Sequence, residues 1–168
     1  MRLIINKYPT FEILVIALAL SLLTGCSSLK SSHNGDVQLA EGSPEITKNG
    51  VERNYNIIGK ASMKRLHTGG NETTVVDLHV EGLHPNEKYP THVHNLPCGE
   101  KGGGGHYQHE KGGKVDDVNE IWLTFTANAS GSGSSQAEHG HVARPDAQSI
   151  VIHDSTPDKA RIACIDLK

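Results

Sequence analysis

The chain has 168 residues, of which 36% are hydrophobic and 21% are charged, and its formal net charge at pH 7 is −3. A chain of this length fits one domain of ordinary size behind any targeting segment. Because no basic patch or run of like charges stands out, the composition argues against nucleic acid as a partner. Its eleven histidines and three cysteines are the residues with the most chemistry to offer.

The N-terminal segment is typical of an export signal. Two basic residues precede an apolar run from Ile13 to Leu23, which is too short to span a membrane and fits a signal peptide. The run leads into Leu23-Thr24-Gly25-Cys26, which resembles the bacterial lipobox, where the chain is cut before the cysteine and the cysteine is lipidated. We therefore predict a signal peptide over 1–25 and an exported lipoprotein, periplasmic or at the cell surface, held to a membrane through Cys26. An ordinary signal peptide with an unmodified cysteine is the alternative.

Two cysteines remain if Cys26 carries lipid. Cys98 and Cys164 would then be an even pair in an exported protein, and such a pair predicts a disulfide. Chain entropy gives a bridge across so long a loop a stabilisation of roughly 4 kcal/mol. Two free thiols, the alternative, would suit a reducing cytosol rather than an exported chain.

The mature chain divides into a tether and a β-rich domain. Residues 26–47 contain Ser, Gly and Asn with little apolar periodicity, which predicts a flexible tether ahead of a domain at 48–168. In the domain, apolar and polar residues alternate without a sustained helical period, so the fold class is predicted to be all-β, a sandwich or barrel. The predicted strands fall in 51–66, as two strands joined near Gly59, and at 76–81, 121–127, 149–153 and 162–167.

Two histidines separated by one residue are the first indication of a metal site. In an extended strand, side chains alternate between faces, so His92 and His94 point the same way while Val93 points into the core. Imidazoles suit copper or zinc better than calcium or magnesium, which prefer oxygen ligands. His153 lies on the face of its strand opposite Ile150 and Ile152, so it also points away from the core. The glycines before His106 would let the loop fold over these histidine side chains. A mobile polar loop with an exposed histidine is the alternative.

Together these segments resemble the copper/zinc superoxide dismutase family. The resemblance covers most of the chain after Val51, in the family's order, and implies a Greek-key β-barrel or sandwich of about eight strands with long metal-site loops. The matching pieces are Gly82-Leu83-x-Pro85, His92-x-His94, Cys98, Gly104-Gly105-His106-Tyr107, Ser149-Ile150-Val151-Ile152-His153 and Arg161-Ile162-Ala163-Cys164.

The resemblance also implies residue roles and an activity. Arg161 would attract superoxide, and the Cys98–Cys164 disulfide would anchor a loop to the barrel. The implied copper ligands are His92, His94, His106 and His153, with His106 at the metal-bridging position. The implied enzyme is a superoxide dismutase, which converts superoxide to O₂ and hydrogen peroxide at a copper centre. Two alternatives stay open: a protein that holds or delivers copper without turnover, and a structural relic without the reaction.

Two departures from the family pattern concern zinc. The family's zinc loop normally supplies two more histidines and an aspartate, whereas here only His109 follows before the next strand, with two aspartates as possible oxygen ligands. The loop from His153 to Arg161 is also short, as in copper-only members, so copper without zinc is the favoured expectation. The candidate zinc set is His106, His109, Asp116 and Asp117.

A further pair of histidines has no counterpart in the family. His139 and His141 flank Gly140 and fall on one face of a predicted strand. An extra metal site is conceivable for such a pair, but two solvated side chains are the simpler interpretation. We therefore predict that His139 and His141 are exposed to water.

Overall fold

The computed structural model describes residues 35–168, which fold into antiparallel β-sheets. A short helix, α1, spans Lys48–Glu52, and a single 3-10 turn spans Lys101–Gly103. The strands are β1 (Gly35–Gly42), β2 (Pro44–Ile46), β3 (Ile58–Thr68), β4 (Asn71–Glu81), β5 (Lys88–Tyr89), β6 (Thr91–His94), β7 (Phe125–Thr126), β8 (Gly133–His139), β9 (Ser149–His153) and β10 (Arg161–Asp166).

Eight of these strands form two four-stranded sheets. One sheet has the order β1-β3-β4-β8, the other has the order β2-β10-β9-β6, and β5 pairs with β7 alongside them. The prediction of an all-β fold is therefore confirmed in the form of a sandwich, and no closed barrel forms within residues 35–168. The second sheet is the one that carries His92, His94 and His153.

The core lies between the two sheets and follows the predicted alternation. Val76 and Val80 on β4 are fully buried, as are Ile150 and Ile152 on β9. Each such side chain contributes roughly 1.5–3 kcal/mol when it leaves water. This packing fixes the strand faces, so the residues that alternate with the buried ones are presented at the outer side of the sheet.

Two predictions about the first part of the domain are wrong. The flexible tether was expected to reach residue 47, but β1 pairs with β3 along its whole length and β2 pairs with β10. Val37 and Leu39 on β1 are more than half exposed, so this edge strand is held largely by its backbone ladder, which leaves little apolar signal. The two strands expected in 51–66 are instead the end of α1 followed by β3, which runs through Gly59 without a turn.

The predictions for the N-terminal segment lie outside the described residues. They are the signal peptide at 1–25, lipidation of Cys26 and the first part of the tether, up to residue 34. Within residues 35–168, no helix has the length and apolar character needed to cross a membrane.

The predicted disulfide is confirmed. Cys98 and Cys164 are bonded, with their Cα atoms 5.7 Å apart and a sequence separation of 66. The backbone N–H of Cys98 also donates to Asp166 Oδ1 at 2.7 Å. Both contacts attach the loop that follows β6 to β10, close to the histidines of the second sheet.

Candidate metal centre

Four histidines converge at the outer side of the second sheet. His92, His94, His106 and His153 each offer one ring nitrogen, and these four atoms all lie within 4.8 Å of one another. We refer to them as the four-histidine cluster. The sequence-predicted copper ligands are thus brought together, and their donor set fits a transition-metal ion rather than a hard cation that prefers oxygen.

The second sheet and one long loop position the cluster. His92 and His94 stand on β6, which pairs with β9, and His153 ends β9 opposite Arg161 on β10. His106 comes from the loop after β6 and is held opposite His94 by a backbone bridge. The His106 ring stacks on that of His92 with centroids 4.1 Å apart and planes 28° apart. The expectation that the loop swings His106 over the strand histidines is confirmed.

Hydrogen bonds engage one ring nitrogen of His94 and of His153 and leave the other nitrogen of each free. Nδ1 of His94 is 3.3 Å from the carbonyl oxygen of Gly104, and Nδ1 of His153 is 2.8 Å from that of Lys159. Because a carbonyl can only accept, each Nδ1 carries the proton, and each Nε2 keeps its lone pair. Nε2 of His94, Nε2 of His153 and Nδ1 of His92 are buried without a hydrogen-bond partner. Buried unpaired nitrogens are costly, and a bound metal ion would satisfy all three.

Burial keeps these imidazoles neutral. It lowers the pKa of His92 to about 4 and the pKa of His94 to about 3, and the neighbouring His106 adds to the effect in both cases. The pKa of His153 is also lowered, chiefly by burial. Neutral imidazole is the form that ligates a metal, so near pH 7 no proton has to be displaced from these three side chains.

A buried carboxylate orients His106. Glu120, only 1% exposed, accepts from Nδ1 of His106 at 2.7 Å, from Gln108 Nε2 at 3.1 Å and from Trp122 Nε1 at 3.0 Å. Burial alone would raise the pKa of Glu120, but these three hydrogen bonds outweigh it, and the pKa is lowered. The ionised carboxylate therefore holds the proton of His106 on Nδ1 and turns Nε2 toward the cluster.

Arg161 holds the loop of residues 99–119, which we call the glycine loop, beside the cluster. Its guanidinium donates to the carbonyl oxygens of Lys101 at 2.7 Å, Gly102 at 2.9 Å and Gly104 at 2.7 Å. Its positive charge helps to lower the pKa of His94 and that of His153, after the larger effect of burial. Arg161, the residue predicted to attract an anion, thus lies near the cluster, and its hydrogen bonds also hold the loop in place.

The candidate zinc set is not brought together. Nδ1 of His106, the nitrogen that would face a second ion, is taken by Glu120. Asp116 Oδ1 accepts from the backbone N–H groups of Val118 at 3.3 Å and Asn119 at 3.0 Å, which folds the loop tip. Within residues 35–168, the four-histidine cluster is the one group whose candidate ligand atoms all lie within 4.8 Å of one another.

The remaining members of that set point elsewhere. The ring of His109 stacks on His141 with centroids 3.7 Å apart. Burial lowers the pKa of His139, and the charge of the exposed Asp117 offsets part of that effect. His109 and Asp117, two of the residues expected to hold zinc with His106, therefore lie near the end of β8.

The prediction that His139 and His141 are a solvated pair is wrong. His139 is only 9% exposed and His141 is half-buried. Burial lowers the pKa of His141 to about 4, with His109 as the next largest cause. The spacing of the pair could not reveal this, because the covering residues belong to the loop around His109.

Sequence reasoning also missed Glu120 and Trp122 as neighbours of the cluster. Trp122 lies edge-on to His92 with ring centroids 5.9 Å apart. An acidic residue directly before the apolar alternation that begins at Ile121 was the available signal, since a carboxylate beside a buried segment needs partners.

The chain was also compared with known proteins. Neither a scan of protein-family models nor a search of curated proteins found a match for it.

Proposed function

We propose that this protein is an exported, lipid-anchored superoxide dismutase that works at a copper ion held by the four-histidine cluster. The observation that carries the proposal is the meeting of four neutral or partly buried imidazoles with the guanidinium of Arg161. The order of the motifs, which resembles the copper/zinc superoxide dismutase family, supports the same assignment. A copper ion bound there would supply the one-electron chemistry that oxidises one superoxide to O₂ and reduces a second, which takes up two protons from water, to hydrogen peroxide.

The chain's own residues would hold the copper ion, orient the imidazoles and attract the anionic substrate. His94 and His153 present Nε2, and the hydrogen bonds on their Nδ1 atoms keep these orientations. His92 presents Nδ1, and its ring is stacked on that of His106. Glu120 keeps a proton on Nδ1 of His106. Arg161 places a permanent positive charge beside the cluster, which attracts an anionic substrate and orients it.

The engagement of His106 with Glu120 favours a copper ion without a zinc ion bridged to it through His106. A metal-bridging histidine must offer both of its ring nitrogens, and the carboxylate already occupies one of them. Glu120 thus supplies the negative, orienting partner that a second ion would otherwise provide. This supports the resemblance to copper-only members of the family.

One experiment tests the proposal against its alternatives. Copper content and superoxide dismutation are measured on the same purified, copper-loaded sample of the wild type, of His94→Ala and of His79→Ala. His79 is an exposed histidine on β4 and serves as the matched control. We expect one copper per chain with activity in the wild type and in His79→Ala, and the loss of both in His94→Ala.

The other outcomes separate the rival functions. Stoichiometric copper without turnover would identify a copper-holding or copper-delivering protein. No copper in the wild type would identify a relic of the fold. Full copper content and full activity in His94→Ala would place the metal somewhere other than the four-histidine cluster.

A further inference from the structure

A second group of histidines lies at the end of β8, outside the four-histidine cluster. His139 ends β8, His141 follows two residues later, and His109 reaches them from the loop beyond His106. The rings of His109 and His141 are stacked, with centroids 3.7 Å and planes 26° apart. The rings of His139 and His141 meet edge-on, with centroids 5.3 Å and planes 69° apart.

These ring arrangements repeat those of the four-histidine cluster. There, His92 and His106 stack with centroids 4.1 Å and planes 28° apart. His94 and His106 meet edge-on, with centroids 5.0 Å and planes 66° apart. Three imidazoles at the end of β8 thus show the same stacked and edge-on relations as three imidazoles of the cluster.

A buried, unpartnered nitrogen belongs to this second group. Among the described residues, five buried side-chain polar atoms have no hydrogen-bond partner, and three of them are the cluster nitrogens of His92, His94 and His153. A fourth is Nε2 of His141. Because an orphaned buried polar atom costs free energy, it calls for a partner such as an ion, as in the cluster.

The backbone around His141 is held in place. The fully buried hydroxyl of Thr74 donates to the carbonyl oxygen of His141 at 2.8 Å and accepts from the N–H of Ala143 at 2.7 Å. The guanidinium of Arg144 donates to the carbonyl oxygen of His109. The three histidines are therefore presented by fixed segments rather than by free chain ends.

His139 lies beside polar groups of the kind that orient metal-binding histidines. Burial lowers its pKa, and the charge of Asp117 and the backbone of Val118, both in the loop beyond His109, act against that effect. Ligating imidazoles typically donate their second N–H to a carbonyl or a carboxylate, which leaves the other nitrogen for the ion. His94 and His153 follow the same pattern in the cluster.

We propose that His109, His139 and His141 form a second metal site, which takes a divalent transition-metal ion of the zinc type. Three imidazoles are a donor set for such an ion, with water or the nearby carboxylate of Asp117 as the fourth ligand. The three rings must turn toward a shared ion, because their ligand atoms do not yet meet the 4.8 Å limit that the cluster satisfies. The exposed side chain of His109 can turn most freely and leaves the site open to solvent.

The test is zinc stoichiometry on the purified full-length chain, measured by calorimetry and elemental analysis. We expect two equivalents in the wild type, one of them in the four-histidine cluster. His141→Ala and His141→Gln should each bind one equivalent of zinc, the one in the four-histidine cluster. His94→Ala should bind only the equivalent at the second site, and His79→Ala should still bind two. The equivalent retained by each His141 variant shows that the sandwich has folded.

Three outcomes would overturn the second site. The first is a wild type that binds a single equivalent, which disappears in His94→Ala. The second is a His141→Ala chain that still binds two equivalents with less than a threefold loss of affinity. The third is zinc that is lost in His109→Ala but kept in both His139→Ala and His141→Ala, which would move the ion to His106, His109 and the two aspartates.

Discussion

Glu120 is the side chain on which the position of His106 depends. Glu120→Ala removes the acceptor that fixes the proton on Nδ1 and leaves Trp122 and Gln108 without their partner. Losing such a partner typically lowers metal affinity or activity about 10–100-fold, and we expect a loss of that size in copper affinity. Competition with a chelator measures it.

The matched control is Glu110→Ala in the same loop. The Glu110 side chain is exposed, and its hydrogen bonds run through its backbone. Copper affinity in this variant should stay within about twofold of wild type. Equal losses in both variants would mean that Glu120 acts on the loop as a whole and not on His106.

Arg161 combines a charge with a set of hydrogen bonds, and two substitutions separate them. If the proposed function is correct, Arg161→Gln should retain copper but lower the dismutation rate by roughly tenfold or more, because the charge proposed to attract superoxide is gone. Arg161→Lys keeps the charge and loses the planar fork on the three carbonyls, so its rate should fall less. Stopped-flow rates at several salt concentrations provide the measurement.

Salt dependence gives the decisive comparison. The wild-type rate should fall as ionic strength rises, and the Arg161→Gln rate should respond less, because screening acts on long-range attraction. Lys60→Gln removes the same charge from an exposed position on β3 and should leave the rate close to wild type. An unchanged rate in Arg161→Gln would show that the role carried over from the family is wrong.

At the level of elements, the glycine loop fits against the second sheet only because it lacks side chains. Gly103 has φ +97°, and a Cβ there would lie 2.8 Å from Val151 Cγ2 and 3.0 Å from Ser149 Oγ. We expect Gly103→Ala to lower the free energy of unfolding by about 1–3 kcal/mol and to weaken copper binding, because the loop carries His106. Chemical denaturation and copper titration measure the two effects.

Gly112 is a matched control in the same loop. It also has a positive φ, +77°, but a Cβ there would meet nothing within 4 Å. Gly112→Ala therefore carries only the backbone cost and should keep copper affinity. If the two variants behaved alike, contact with β9 would not be what places the loop.

The elements differ in how far the sequence could predict them. The alternation in β4 and β9 predicted their buried faces, because those strands pack against a core on one side. The edge strand β1 was not predicted, because Val37 and Leu39 are exposed and backbone pairing leaves no periodic pattern of apolar residues in the sequence. The four-histidine cluster followed from spacing and resemblance. The contact of Glu120 with His106 and that of His141 with His109 depend on how one long loop folds back, about which residue spacing carries no information.

For the whole molecule, the disulfide is the largest single covalent constraint within the described residues. Replacing Cys98 and Cys164 together by serine should lower the free energy of unfolding by about 4 kcal/mol, because the unfolded chain regains the freedom of a 66-residue separation. Equilibrium unfolding in denaturant provides the value. Reduction of the wild type should produce a similar loss, and a double variant within 1 kcal/mol of wild type would contradict the prediction.

The buried imidazoles predict how the stability of the metal-free protein changes with pH. The folded-state pKa values of His92 and His94 lie at about 4 and about 3, below the ordinary 6.5. Between pH 6.5 and 4 the unfolded chain therefore binds protons that the folded chain does not, and stability falls as pH falls. The loss approaches about 1.4 kcal/mol per pH unit for each histidine.

Unfolding free energies measured at pH 7, 6, 5 and 4 test this, with His94→Gln as the comparison. That variant has one fewer proton acceptor in both states, so its stability should fall less steeply. A stability that stayed level down to pH 4 in the wild type would show that the strand histidines are not held neutral by the fold.

The four cluster ligands are scattered along the sequence, from residue 92 to residue 153, and they meet only when β6, the glycine loop and β9 are all in place. The unfolded chain therefore has no comparable binding site for the ion, and a bound ion stabilises only the folded state. The supply of metal in the compartment would then decide how long each molecule survives proteolysis, as well as whether it reacts. Abundance measured in metal-starved and metal-replete cells would report occupancy before any assay of turnover.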